Sequence, residues 1–244
     1  MTPLSFVCWR WKPVTKQRSE FSPDTVRVLR DMVARHYRGP HRFICVTDAP
    51  QEIAKDIETV QDRGDFSALP APAGGLNPSC YRRLRAFSPE MSEVFGERFV
   101  SIDLDMVLVG DVTPLFDRDD DFVIYGDTNP KTFYNGSLFM MKSGARSQVW
   151  SDFDPNISPR RAYAAGHHGS DQAWISFRLG PHEKKWGKSD GVYSFRNEVK
   201  SLGALPANAR MVCFHGLMKP WSPGVSDRYP WVRQHYRLEA PCLA

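Results

Sequence analysis

The sequence predicts a single α/β domain whose mainly parallel sheet is flanked by helices. Three observations carry that reading. Of 244 residues, 41% are hydrophobic, enough for a substantial core and too many for a disordered chain. A strand, a helix and a second strand succeed one another within residues 4–47, and such a βαβ unit implies parallel pairing with a right-handed crossover. No internal repeat or low-complexity segment interrupts the rest of the chain. Residues 1–244 therefore read as one domain, with a core over about 4–221 and a Pro-, Trp- and Arg-rich tail at 222–244.

The first element is the apolar run 4–9, which reads as a buried strand. Ser22 is placed to cap a helix with Pro23 at its first position, where a missing N–H costs nothing. Val26, Leu29, Val33 and Tyr37 share one face of that helix, and Gly39-Pro40 stops it. Residues 42–47 form the second strand and 51–59 a short helix, while the Pro- and Gly-broken stretch 69–78 is a loop. A helix is expected over 79–87, strands over 98–103, 122–125 and 133–141, a helix from Ser170 to Gly180, and a last strand over 210–214.

Charge and cysteine usage narrow the function classes. With 32 basic and 28 acidic residues the net charge is only +4, and no long Lys/Arg run marks a nucleic-acid arm. No stretch reaches the roughly 18 apolar residues of a membrane span. The start, Met1 to Lys12, lacks the basic segment and apolar run of a secretory signal. Cys8, Cys45, Cys80, Cys213 and Cys242 are odd in number, dispersed and without a Cys-x-x-Cys pair. Neither a disulfide framework nor a structural zinc is expected, and a cytoplasmic location fits best.

Several segments carry candidate chemistry. Asp103 and Asp105 interrupt an apolar strand, and in an extended segment they point the same way, so they can share one hard divalent ion that keeps positions open for phosphate oxygens. Asp117, Asp119 and Asp121 match the same spacing inside a charged run that reads as a solvated loop. His215-Gly216 and Lys219 come after the last strand at the sheet's carboxyl edge, where α/β proteins bind ligands. There the histidine can ligate a metal, the glycine admits close backbone approach and the lysine can neutralise phosphate. Asp171 and Gln172 open a helix, where the dipole alone accounts for the acid. Asn135 falls in or at the start of a strand and needs a partner, from the protein or a ligand. In the helical cluster Tyr81-Arg82-Arg83-Leu84-Arg85, one arginine is expected to face a phosphate and the other two to be solvated. The pair His167-His168 is too ordinary in a loop to mark a metal.

Taken in order, these motifs have a counterpart. A strand with Asp103-Leu104-Asp105, then Tyr134-Asn135-Gly136-Ser137, then Ser170-Asp171-Gln172 opening a helix, then His215-Gly216-Leu217-Met218-Lys219-Pro220-Trp221, resembles the GT-A-fold glycosyltransferases. The similarity is greatest to family 8, the retaining group that includes glycogenin and bacterial lipopolysaccharide galactosyltransferases. It runs from about Ser5 to Trp221. The resemblance implies a Mn²⁺- (or Mg²⁺-) dependent transfer from a nucleotide-sugar, usually a UDP-sugar, to a glycan, lipid-linked or protein acceptor that the sequence does not specify.

Carried over residue by residue, the resemblance puts Asp103 and Asp105 on the metal, Asp103 also near the donor ribose. It puts Arg83 against the donor, and Asn135, Asp171 and Gln172 along the donor sugar. Lys219 falls on the pyrophosphate, and Asp127 near an acid that touches the sugar in some members. Glycogenin-like members place the metal histidine where Cys213 stands here, so His215, two residues on, is the expected substitute. Two rivals remain. A nucleotidyltransferase would show a Gly-rich phosphate loop after the first strand, and Trp9-Arg10-Trp11-Lys12-Pro13 has no glycine. A catalytically inactive nucleotide-sugar-binding protein fits poorly with the retention of both Asp103 and Asp105.

Overall fold

The structure is a computed structural model that describes residues 3–13, 21–70, 72, 80–126, 129 and 131–238. The expected loop at 69–78 and the candidate Asp127 lie largely or wholly outside the described residues, as does Cys242. Among the described residues two sheets form. The larger has seven strands: β1 (Leu4–Arg10), β2 (His41–Thr47), β3 (Glu58–Gln61), β4 (Arg98–Ile102), β6 (Phe122–Gly126), β7 (Tyr134–Lys142) and β8 (Lys184–Trp186), in the order β3-β2-β1-β4-β7-β6-β8. The smaller joins β5 (Met106–Leu108), β10 (Met211–Cys213) and β9 (Val192–Ser194), with β10 central. In the larger sheet β7 alone runs against its neighbours, pairing antiparallel with β4 and β6. The other pairings are parallel.

The strand β1 lies inside the sheet between β2 and β4, and all seven of its residues are buried, as suits a strand covered on both faces. Its period of two divides the core. Phe6 and Cys8 face one cluster with the helix Pro23–His36, and Val7 and Trp9 face another with Tyr81, Leu84 and Trp174. The helix Pro23–His36 begins as its sequence dictates, with Ser22 Oγ accepting from the Asp24 N–H at 3.2 Å and Pro23 in the first turn. Val26, Leu29, Met32 and Val33 are fully buried. Each such side chain contributes about 1.5–3 kcal/mol of burial.

Three expectations give way. The helix expected over 51–59 is a single 3₁₀ turn, Pro50–Glu52, succeeded by edge strand β3, because only Ile53 and Ile57 of that stretch reach the core. The segment Cys80–Phe87 is a 3₁₀ helix rather than an α-helix. The core does not end near Trp221. The helices Val225–Arg228 and Pro230–His235 bury Val225, Trp231 and Val232 in the first cluster, joined there by Tyr229. Composition hid this, since prolines there sit at helix starts rather than breaking the chain.

Candidate active-site cleft

The carboxyl ends of β1 and β4 and the start of antiparallel β7 lie on one edge of the large sheet, where α/β folds open a crevice. A cleft of about 420 Å³ opens there. It is lined by Arg83, Asp103, Asp105, Asn135, Asp171, Gln172, His215, Gly216 and Lys219, so all the sequence-predicted site residues except Asp127 come to one place.

Asp103 and Asp105 arrive differently from the expectation. The chain leaves β4 at Ile102 and turns, with the Met106 N–H bonded to the Asp103 carbonyl at 3.1 Å, before β5 enters the second sheet. The two acids therefore sit on the turn that joins the sheets, not on an extended strand. Backbone bonds fix that turn from both sides: the Asp103 N–H donates to Ser137 O at 2.9 Å, and Phe214 N–H to Asp105 O at 3.1 Å.

Arg83 is the hub of the acidic side. Its guanidinium, 8% exposed, bonds Asp103 and reaches Asp171 Oδ2 at 2.7 Å. Burial opposes its charge, yet Asp103 and Asp171 outweigh burial and hold it protonated well above the ordinary arginine range. Asp171 is thus first an ion-pair partner, and Ser170 Oγ also donates to its Oδ1 at 3.0 Å. Strand β7 passes tightly over this pair. A Cβ on Gly136 would lie 3.0 Å from Asp171 Oδ2 and 3.3 Å from an Arg83 nitrogen, so glycine is what the close approach allows. The β6–β7 register shifts here, from Ile124 opposite Phe139 to Tyr125 opposite Asn135, which turns Asn135 and Ser137 into the cleft. Asn135 finds its partner within the protein, its Oδ1 accepting from the Ser137 N–H at 2.9 Å.

Lys219 closes the opposite side with its ammonium on Asp105. Burial pushes the Asp105 carboxyl above its usual range; Lys219 draws it back and Asp103 pushes it up again. Asp103, Asp105 and Asp171 thus bond two cations directly, Arg83 and Lys219, while Arg10 also lines the cleft and pairs with Glu52. Gly216 takes the left-handed conformation (φ 90°), and the preceding His215 hydrogen-bonds Ser194 Oγ through Nε2 at 2.6 Å. Cys213 is fully buried, and burial together with Asp105 raises its thiol well above the ordinary value, so it stays a neutral core residue. Two carboxylates on one turn fit a hard divalent ion that completes its shell with phosphate oxygens. Among the described residues no three His, Cys, Asp or Glu side chains are grouped closely enough to enclose an ion, and His215 does not join the acid pair in one.

Among solved structures, the galactosyltransferase LgtC, in complex with donor and acceptor sugar analogues, matches with a TM-score of 0.60 at 12% identity, over 97% of this chain and 98% of its own. An active-site mutant of LgtC matches over the same shares with a TM-score of 0.59 at 13% identity. The chain has the GT-A fold. The glycosyltransferase GlyE of Streptococcus pneumoniae shares it with a TM-score of 0.56 at 10% identity, over 98% of this chain and 66% of its own. No family model and no curated protein matches the sequence.

Within this GT-A cleft, sequence reasoning missed the aromatic half. Trp9, Trp11, Pro13 and Phe21 line it, and Trp11 lies 5.6 Å from the Arg82 guanidinium. The available signal was position, since Trp11 directly succeeds the carboxyl end of β1. Arg82 and Arg85 are not solvated as expected. Arg82 is buried against Asp62, and Arg85 pairs with Asp65 and Glu90. His167 and His168 pack on Phe133 and Tyr163 and do not line the cleft. No helix among the described residues is long and apolar enough to cross a membrane.

Proposed function

We propose that the protein transfers a sugar from a nucleotide-sugar, of UDP type, to an acceptor hydroxyl, with a divalent cation and with retention at the anomeric carbon. The observation that carries this reading is the charge layout of the cleft. The neighbouring carboxylates Asp103 and Asp105 would repel a diphosphate alone, whereas a divalent ion beside them would reverse the local sign and admit one. Mn²⁺ or Mg²⁺ bound there supplies charge neutralisation of the departing diphosphate. Asp103 and Asp105 are the carboxylates that would hold it, and His215 of the closing segment, bonded here to Ser194, would join them only by moving toward them.

The chain's own residues do the rest. Lys219 stabilises negative charge growing on the leaving group, a donor already in place before the bond breaks. Asn135, Asp171 and Gln172 orient the sugar, Asp171 accepting from its hydroxyls and Gln172 lying by the anomeric carbon. Arg83 holds Asp103 and Asp171 in place through its ion pairs, and Gly216 lets backbone approach the diphosphate. Asp127 is proposed as a further contact to the sugar. As the anomeric carbon gains oxocarbenium character, the acceptor oxygen attacks from the face the diphosphate leaves, and its proton passes to a phosphate oxygen.

The test is UDP release from UDP-hexoses with and without Mn²⁺. Release is expected only with the ion and is expected to be lost in Asp105→Asn, which keeps the fold. Tight donor binding without turnover would favour an inactive binding protein, and no affinity for any nucleotide-sugar would overturn the proposal.

A further inference from the structure

We propose that Phe21 is a positioning residue for Lys219, held in place by the buried Arg10, itself paired with Glu52; this rests on the reading of Lys219 as the diphosphate's cation. The ammonium of Lys219 lies 5.5 Å from the centroid of the Phe21 ring. Besides the Asp105 carboxylate and a long bond to the Phe214 carbonyl at 3.4 Å, it thus meets an aromatic ring from a different part of the chain. Lysine carries its charge on a flexible four-carbon stem, so a further contact narrows where that charge can sit. A ring does this without adding a formal charge that would compete with a phosphate.

Phe21 is itself fixed by three elements. Its carbonyl accepts from Arg10 Nε at 2.9 Å, and Arg10, 1% exposed, pairs through another nitrogen with Glu52 at 2.7 Å. Lys12 Nζ joins the same Glu52 at 2.6 Å, and the Lys12 N–H donates to Asp48. Trp221 meets the ring edge-on at 5.3 Å, two residues beyond Lys219 itself. A guanidinium this deeply buried is costly unless it is paired and hydrogen-bonded, and here its bonds go to the residue under the lysine. Packing alone would not need a cation at this point: Phe21 is only partly buried and its ring lines the cleft. Arg10 also lines the cleft, and the role assigned to it here runs through Phe21.

Calorimetric titration of the full chain with Mn²⁺ present, using UDP and uridine as probes, separates the possibilities. Phe21→Leu is expected to weaken UDP about fivefold and leave uridine unchanged. Phe21→Tyr, which keeps a ring, is expected to restore UDP affinity. In a Lys219→Met background Phe21→Leu is expected to have no further effect, since the two act as a unit. Glu52→Gln, on a partly exposed carboxylate, gives a milder loss of the same selectivity if Phe21→Leu proves unstable. Equal losses for UDP and uridine would make Phe21 a base platform and overturn the proposal, as would additive losses in the Lys219→Met background. A wild-type protein that binds no UDP at all would instead overturn the transferase reading, and this inference with it.

Discussion

At the residue scale, the cleft is governed by where charge is buried. Asp171 was explicable as an acid at a helix start, an effect of about 0.3–1 kcal/mol. Its place against Arg83, with the side chain 3% exposed, makes it far more consequential. Asp171→Asn leaves a buried guanidinium with Asp103 as its remaining acidic partner, a loss of about 3 kcal/mol by the usual cost of breaking a buried pair. For a chain of this length that predicts a melting temperature lower by roughly 6–12 °C without any ligand. A shift of a degree or two, measured by calorimetry, would mean the pair is worth no more than a surface contact. None of this was legible in the sequence. Eighty-eight residues separate Arg83 from Asp171, and only a tertiary contact tells that the two are partners.

At the element scale, the C-terminal turn of the helix Pro23–His36 meets the helix Pro230–His235, and two histidines face each other with ring centroids 5.5 Å apart. Burial, then the His235 ring and Arg35, lower the His36 pKa from 6.5 to about 4, with Asp111 acting weakly the other way. His235 is lowered as well, by burial and then Arg35 and Arg237. Proton counting gives the sign. Between about pH 4 and 6.5 the unfolded chain binds more protons at His36, so its contribution is present above 6.5 and fades as pH falls toward 4. Urea midpoints are therefore expected to drop between pH 6.5 and 5, and His36→Gln to shrink that drop. An unchanged slope in the variant would show that His36 titrates normally. The helix itself was readable from Ser22, Pro23 and its apolar face, because those signals are local. Its partner helix was not, since a six-residue helix shows too little periodicity to declare itself.

At the scale of the whole molecule, the described chain packs as a large sheet between two apolar clusters, and its last helices belong to one of them. Val225, Tyr229, Trp231 and Val232 are each at least nine-tenths buried. Ending the chain after Trp221 would remove all four from the core. At about 1.5–3 kcal/mol apiece the loss rivals the whole stability of a typical domain, about 5–15 kcal/mol. The shortened chain is expected to be insoluble or to lack a cooperative thermal transition. A cooperative melt within a few degrees of the full chain would show that these helices are an appendage.

What the sequence determined by itself was the class of fold, the central βαβ unit and the order of the polar motifs. These depend on period, capping and spacing along the chain, which are local. The structure decided the rest, because it depends on which distant segments meet. It set Asp103 and Asp105 on a turn between two sheets rather than along a strand, and matched them against Arg83 and Lys219. It also brought Trp9, Trp11 and Phe21 around to face them. A carboxylate's neighbours in sequence say that it is costly to bury; only its neighbours in space say which cation makes the burial possible.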